Sequence, residues 1–296
     1  MRLGAVAAYD RPMRWPIPAR GPASRANSRR NARGTAARLE RWAPARDALW
    51  AVLDPYVAAG CRVAVAGAGN GHDLPLRRLA ERAGQVDLID LDARAARGAR
   101  RRLPPKLGRR VAVVRQDVTN GIADELARAA ARGDLPEARG APLEPLGSGD
   151  YAVVVGDLLY SQLLYPALRD SPLQPERVGV ALARTDRPLV TSVVRRLHLS
   201  APGGVVVHVH DPLGWWAGHP QRVTLEEILE LAARDTDAAL ALAALGHGPS
   251  ACDPRAIALE LGLAPVATAL WRWPFQDGVD YLACATVIRP GAPPLH

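Results

Sequence analysis

Three glycines at alternate positions, Gly67, Gly69 and Gly71, close the run VAVAGAGNG (63–71), and nineteen residues further on Asp90 closes the next apolar run. A buried strand that delivers the chain into a glycine turn lets a ligand approach the main chain. An acid at the end of the following strand is placed to accept hydrogen bonds from ribose hydroxyls. A third apolar run, 111–114, leads to Asp117 in RQDVTN, and a fourth, 151–155, leads to Asp157 with Tyr160, Ser161 and Gln162 behind it. A fifth, 205–209, ends among His208, His210 and Asp211, ahead of Trp215 and Trp216. This chemistry is suited to holding a nucleoside and moving a proton. The spacing GxGxG, with His72 where GxGxxG needs its third glycine, favours a ligand without phosphates, and no GxxxxGK[ST] occurs. Neither a GxSxG elbow nor an HExxH pair is present, and the histidines and cysteines show no metal-ligand spacing.

Four ordered features, AGAGNG, the acid of IDLD, the acid of QDV and LSAPGG before a strand, resemble the class I S-adenosylmethionine-dependent methyltransferases over residues 45–289. The string GAGNGHDLPL followed by LIDLD is similar to a bacterial subgroup of methyltransferases with a GNxxDL loop. The resemblance implies S-adenosyl-L-methionine as cofactor. It sets the loop Gly67, Ala68, Gly69, Asn70 and Gly71 against the methionine part, Asp90 with Leu91 at the ribose, and Asp117 with Val118 at the adenine. Where the family often has an acid two residues before the first glycine, this chain has Val65, so the methionine ammonium falls to loop carbonyls or to Asp157.

The acceptor belongs beyond strands four and five, because ligands of open α/β sheets lie outside the carboxyl ends of the strands. A sulfonium methyl is already activated, so the protein has to align the acceptor and take a proton from a hydroxyl or amine. His210 is the candidate base, with Asp211 or Asp157 orienting it; the rival reading is a strand-end histidine satisfied by local backbone. Tyr160 and Gln162 either line the acceptor pocket or pack, and Trp215 with Trp216 form either an aromatic wall or a lid packed on the domain. Trp271 and Trp273 alternate on a strand and read as core or sheet surface. Arg46 could reach the methionine carboxylate or remain solvated. No NPPY or DPPY follows strand four, which weighs against methylation of exocyclic base amines or glutamine amides.

These residues need a scaffold of alternating strands and helices, read here as an α/β, Rossmann-like, doubly wound seven-stranded sheet. It is mostly parallel, with an antiparallel C-terminal hairpin, because only PFQDGVD separates the last two strands and a parallel crossover needs a dozen or more residues. Helices are expected over 35–59 with a break at Pro44, from about 73, from 93, from about 121, over 158–168, 187–199, 225–245 and 254–261. The stretch 133–149 reads as a loop, and PLGWWAGHP after Asp211 as irregular.

The 296 residues carry a net charge of +8, and residues 1–50 hold eleven Arg against three acids, while the remainder balances. The reading is an Arg-rich extension over 1–33, either flexible or wrapped on the domain, followed by a methyltransferase domain over 34–296. Such an arm can track phosphates, but a single Lys against 37 Arg also points to plain compositional bias. No run of eighteen apolar residues and no h-region occurs, so no membrane partner and a cytoplasmic location are expected. Cys61, Cys252 and Cys284 are expected as reduced thiols. Nothing in the sequence sets an oligomeric state. The expected function is methyl transfer to a small-molecule oxygen or nitrogen. The alternatives are a nucleic-acid methyltransferase that holds RNA with its arm, and a catalytically silent cofactor-binding protein; an NAD-dependent enzyme ranks below these.

Overall fold

The structure is a computed structural model and describes residues 21–33, 36–134, 143–246 and 252–289. Seven strands form one sheet: β1 (Arg62–Ala66), β2 (Gln85–Asp90), β3 (Val111–Arg115), β4 (Val153–Asp157), β5 (Val205–Trp216), β6 (Pro265–Gln276) and β7 (Val279–Ile288). Their order is β3-β2-β1-β4-β5-β7-β6, and β7 alone runs against its neighbours. This is the Rossmann-like, doubly wound fold with an antiparallel C-terminal hairpin that the motif order implies. The order reverses between β1 and β4, which opens a crevice at their carboxyl ends.

Both faces of the sheet are covered, so the strands read as continuous apolar runs. Strand alternation sorts them: Val63, Val65, Val153, Val155, Val207 and Val209 pack in one core layer with the helix Ala43–Leu53. Ala64, Ala66, Val154 and Val206 pack in the other layer with the long helix Pro175–Leu199. That parity also fixes which strand-end side chains reach the crevice.

Several boundaries differ from expectation. Strand β5 does not end at Asp211 but runs on to Trp216, absorbing Pro212 in a register shift against β7 between His210 and Leu213. A bulge is the place a strand tolerates proline, and it turns the expected irregular segment into strand. The helix expected from 187 begins at Pro175 and carries Pro188 in its interior. Residues 158–168 make only a 3-10 turn, Tyr160–Gln162, and a short helix, Tyr165–Arg169. The last hairpin is tighter than its spacing suggests, closing through Asp277 and Gly278, with Gly278 at φ 70°. Part of the 133–149 loop and residues 1–20 lie outside the described residues.

Within the first 33 residues, Pro22–Ala32 form a helix that packs on the domain. Proline at its first turn is pre-set for helix. Ala23 and Ala26 are buried, and Ala23, Asn27, Arg30 and Asn31, at helical spacing, share the face turned to the crevice. The described part of the extension is thus wrapped on the domain.

Candidate active site

A cavity of about 530 Å³ opens at the carboxyl ends of the strands. The whole glycine loop 67–71, Asp90 with Leu91, Asp117 with Val118, and Asp157 line it. Gly67 and Gly69 sit at φ 80° and 45°, in the left-handed region where L side chains are strained. At Gly67 a Cβ would also come within 2.8 Å of the Leu159 Cβ.

Asp90 is 4% exposed, and its Oδ2 accepts the Gly69 N–H at 2.8 Å. Its Oδ1 accepts the Asp92 N–H at 2.6 Å and the Asn27 side-chain amide at 3.3 Å. The acid thereby ties loop, strand end and arm helix together. Burial raises its pKa while the Asp92 and Gly69 N–H bonds oppose the rise. Asn31 donates to Asp92 Oδ2 at 3.2 Å, and Asn70 donates to the Asn31 carbonyl at 2.8 Å. Asp117 is spent mostly on its own turn, accepting from Thr119 N and Oγ1 and from Gly121 N, each at 2.8 Å. That turn is pinned from behind by buried Arg196, which donates to the Asp117 and Val118 carbonyls at 2.9 and 2.8 Å.

Asp157 is different. It is 3% exposed, lines the cavity, and its Oδ1 has no hydrogen-bond partner among the described residues. A buried carboxylate left this way is costly unless something supplies the missing charge. Burial first, and then the charge of Asp73, push its pKa well above the carboxylate range. Asp73, also on the cavity wall, is raised to about 6 by burial. The next residue, Leu158, takes φ 47°, a strained conformation for a leucine, and its N–H donates to the Val209 carbonyl at 3.0 Å.

Asp211 and Gln162 line the cavity as expected. Asp211 is buried, accepts the Ser161 hydroxyl at 3.3 Å, and is raised to about 6 by burial.

His210, Tyr160, Trp215 and Trp216 are not brought to the cavity. His210 has the opposite strand parity to Asp211; its Nε2 lies 3.3 Å from Asp253 at the start of the helix Pro254–Glu260. Tyr160 is hydrogen-bonded to His208, which contacts His198 at 3.1 Å, all beneath the sheet. A Cβ at position 156 would stand 2.7 Å from the Tyr160 hydroxyl, which explains Gly156. Trp215 donates to the Val223 carbonyl at 3.0 Å, and Trp216 stacks on His219 with centroids 3.9 Å apart. Arg46 donates to the His72 carbonyl at 2.6 Å instead of lining the cavity; Arg38 lines it.

The aromatic wall comes from elsewhere: Trp42, Trp273, Phe275 and Tyr281 line the cavity. Trp273 is 5% exposed and meets Trp42, Phe275 and Tyr281 at 5.1, 5.2 and 5.7 Å between ring centroids. The alternation WRW on β6 signals one sheet face for both tryptophans; that this face reaches the cavity depends on the hairpin register, which the pattern alone does not contain.

No family model matches the chain, and no curated protein sequence matches it. Among solved structures, the chain is similar to the N-methyltransferase NodS from Bradyrhizobium japonicum in complex with S-adenosyl-L-homocysteine, at 13% identity, covering 91% of this chain and 99% of that one, with a TM-score of 0.44. It is similar to a SAM dependent methyltransferase from Aquifex aeolicus at 14% identity, over 89% and 98% of the two chains, TM-score 0.41. A protein of Bordetella parapertussis described as a possible exported protein matches at 16% identity over 86% and 68%, TM-score 0.40. Identities this low say nothing of which residues act. No helix among the described residues is long and apolar enough to cross a membrane.

Proposed function

We propose that this chain is an S-adenosylmethionine-dependent methyltransferase acting on an oxygen or nitrogen of a small molecule. Residues 34–296 are its catalytic domain, and the described part of the 1–33 extension, residues 21–33, would cover the cofactor. The observation that carries the reading is the polarity of the cavity: an acid bound by main-chain N–H groups at one strand end, Asp90, and at another a buried carboxylate oxygen without a partner among the described residues, on Asp157 beside Asp73. A nucleoside with a cationic amino-acid tail answers both.

The donor set fits that cofactor. Asp90 Oδ2 takes only one bond and keeps a lone pair for a ribose hydroxyl. Asp117 and Val118, also on the cavity wall, would meet the adenine. Asp157 and Asp73 would take the ammonium, replacing the acid that Val65 displaces, and Arg38 would meet the carboxylate. When bound, the cofactor supplies an electrophilic methyl on a sulfonium. The protein's own part is orientation and proton removal, and Asp211 is suited to the latter: it lies on the cavity wall, steadied by Ser161, with a pKa near 6 that leaves it ionised at neutral pH. Gln162, fixed by a hydrogen bond from Arg30, positions the acceptor. The arm helix over the crevice favours a small acceptor over a polymer.

One observation favours the nucleic-acid reading. After Asp92 no acid occurs until Asp117, while eight arginines and Lys106 do; on the helix Ala93–Arg101 the alanines are buried and Arg94, Arg97, Arg100 and Arg101 exposed. RNA affinity that falls steeply with salt would support it.

The test of the main reading is methyl transfer from methyl-labelled S-adenosylmethionine to a panel of small hydroxyl and amine compounds. Acceptor-dependent turnover that drops by about 10²–10⁴ in Asp211→Asn, with cofactor affinity retained, supports it. Tight cofactor binding with no turnover on any acceptor would favour the silent cofactor-binding protein.

A further inference from the structure

The cavity is not uniformly acidic. Four arginines line it with the acids, and two of them act on one another, Arg30 from the arm helix and Arg169 from the helix Tyr165–Arg169. Neither makes an ion pair with a described residue. Arg30 donates to the neutral side-chain carbonyl of Gln162, and the adjacent carboxylate, Asp170, is taken by Arg29 at 2.6 Å. Arg30 is half-buried, and both its burial and the charge of Arg169 disfavour its cation. Asp170 offsets this in part but is held by Arg29, and Asp211 acts on Arg30 without pairing with it, so two neighbouring guanidiniums, one of them partly desolvated, repel one another with no ion-pair partner among the described residues. Paired forks of N–H donors match an oxyanion.

The surface beside them is aromatic. Tyr165 and Tyr281 lie close enough to Arg30 to act on its charge, and Tyr281 continues through Phe275 and Trp273, at 5.5 and 5.7 Å between centroids, into the buried wall. Such faces select a flat ring. Asp211, the proton acceptor, lies on the same wall and also senses Tyr281 and Arg30.

We infer that the acceptor is a planar aromatic molecule carrying an oxyanion, carboxylate or phosphate, which Arg30 and Arg169 grip while the ring lies along Tyr281, Phe275 and Trp273. The inference rests on the methyltransferase reading for the word acceptor, but the anion site stands on its own. Because Arg30 belongs to the arm helix, the acceptor itself would help to hold the arm closed.

The test is calorimetric titration of the full chain, saturated with S-adenosyl-L-homocysteine, with matched acids and amides: 4-hydroxybenzoate against 4-hydroxybenzamide, 2-naphthoate against 2-naphthamide, and phenyl phosphate against phenol. In the wild type the anion of at least one pair should bind ten times more tightly or better than its neutral partner. Arg169→Met, an exposed change, should cut that preference at least threefold, Arg30→Met should abolish it, and Arg30→Lys should keep part of it. The homocysteine product should bind Arg169→Met within twofold of wild type. Equal binding of anion and neutral partner, or no binding by any pair, overturns the inference. Weaker binding of the homocysteine product itself in Arg169→Met, which lies outside the arm helix, would also overturn it, by assigning the guanidiniums to the cofactor carboxylate. If the wild type binds the anions but not the homocysteine product, the anion site stands and the methyltransferase reading falls.

Discussion

The side-chain amide of Asn27 donates to Asp90 Oδ1 at 3.3 Å, joining two residues sixty-three positions apart. One turn later Asn31 does the same for Asp92 at 3.2 Å. The arm helix therefore rests on both acids of IDLD, and a ligand held by Asp90 is covered by Asn27. With the ribose on Asp90, as proposed, cofactor exchange would require this helix to lift. Asn27→Ala with Asn31→Ala should weaken S-adenosyl-L-homocysteine binding by about 1.5–3 kcal/mol, the range for lost hydrogen bonds to charged groups, mostly through faster release. Stopped-flow dissociation measures it; an unchanged release rate would mean the helix is no gate.

Gly21 tests the same point without touching the cavity. A Cβ there would stand 1.7 Å from Asp124 Oδ2, the carboxylate whose Oδ1 accepts the Ala23 N–H at 2.7 Å. Gly21→Ala should displace the start of the helix and raise the release rate as the Asn27 change does. Proteolysis should cut the arm faster in this variant, and the cofactor should slow the cutting.

Titration of Asp157 and Asp73 gives a pH signature. Their pKa values are raised in the folded state, so the folded ligand-free protein binds more protons than the unfolded chain. Their contribution to stability is present at low pH; that of Asp73 is lost as pH rises from about 3.8 through about 6, and that of Asp157 as pH rises through its own raised pKa. A bound ammonium favours the ionised pair. The thermal shift produced by S-adenosyl-L-homocysteine should therefore grow as pH rises from 5 to 7, and Asp157→Asn should flatten that growth. The reverse slope would place the ammonium elsewhere.

The two tryptophan pairs separate wall from surface. Trp273→Ala removes a buried side chain and should cost about 3–5 kcal/mol of stability, so Trp273→Phe is the variant for binding work and should weaken aromatic acceptor analogues. Trp216, stacked on His219 at 39% exposure, lies off the cavity, and Trp216→Ala should leave cofactor and acceptor binding unchanged. Calorimetry on both variants decides it.

What could be read from the sequence was the part where local pattern and chemistry coincide. Gly67, Asp90, Asp117 and Asp157 each end an apolar run, and the sheet brings all four to one cavity. What escaped depends on parity and on long-range contact. His210 and Asp211 are adjacent on a strand, so only one of them faces the cavity, and packing on the helix Pro254–Glu260 decides which. Pro212 reads as a break, yet a register shift carries β5 past it. The arm helix went unseen because its buried stripe is built of Ala, Ser and Asn, which carry little hydrophobic signal, and it is stabilised by Asp90, Asp92 and Asp124 far along the chain.

The most direct measurement is calorimetric titration of wild type and Asp90→Ala with S-adenosylmethionine, S-adenosyl-L-homocysteine and NAD. The account predicts that the first two bind, that NAD does not, and that Asp90→Ala weakens both by about 1–3 kcal/mol, as expected for losing a charged hydrogen-bond partner. Binding of NAD in preference, no binding of either sulfur compound, or full affinity in Asp90→Ala would contradict it.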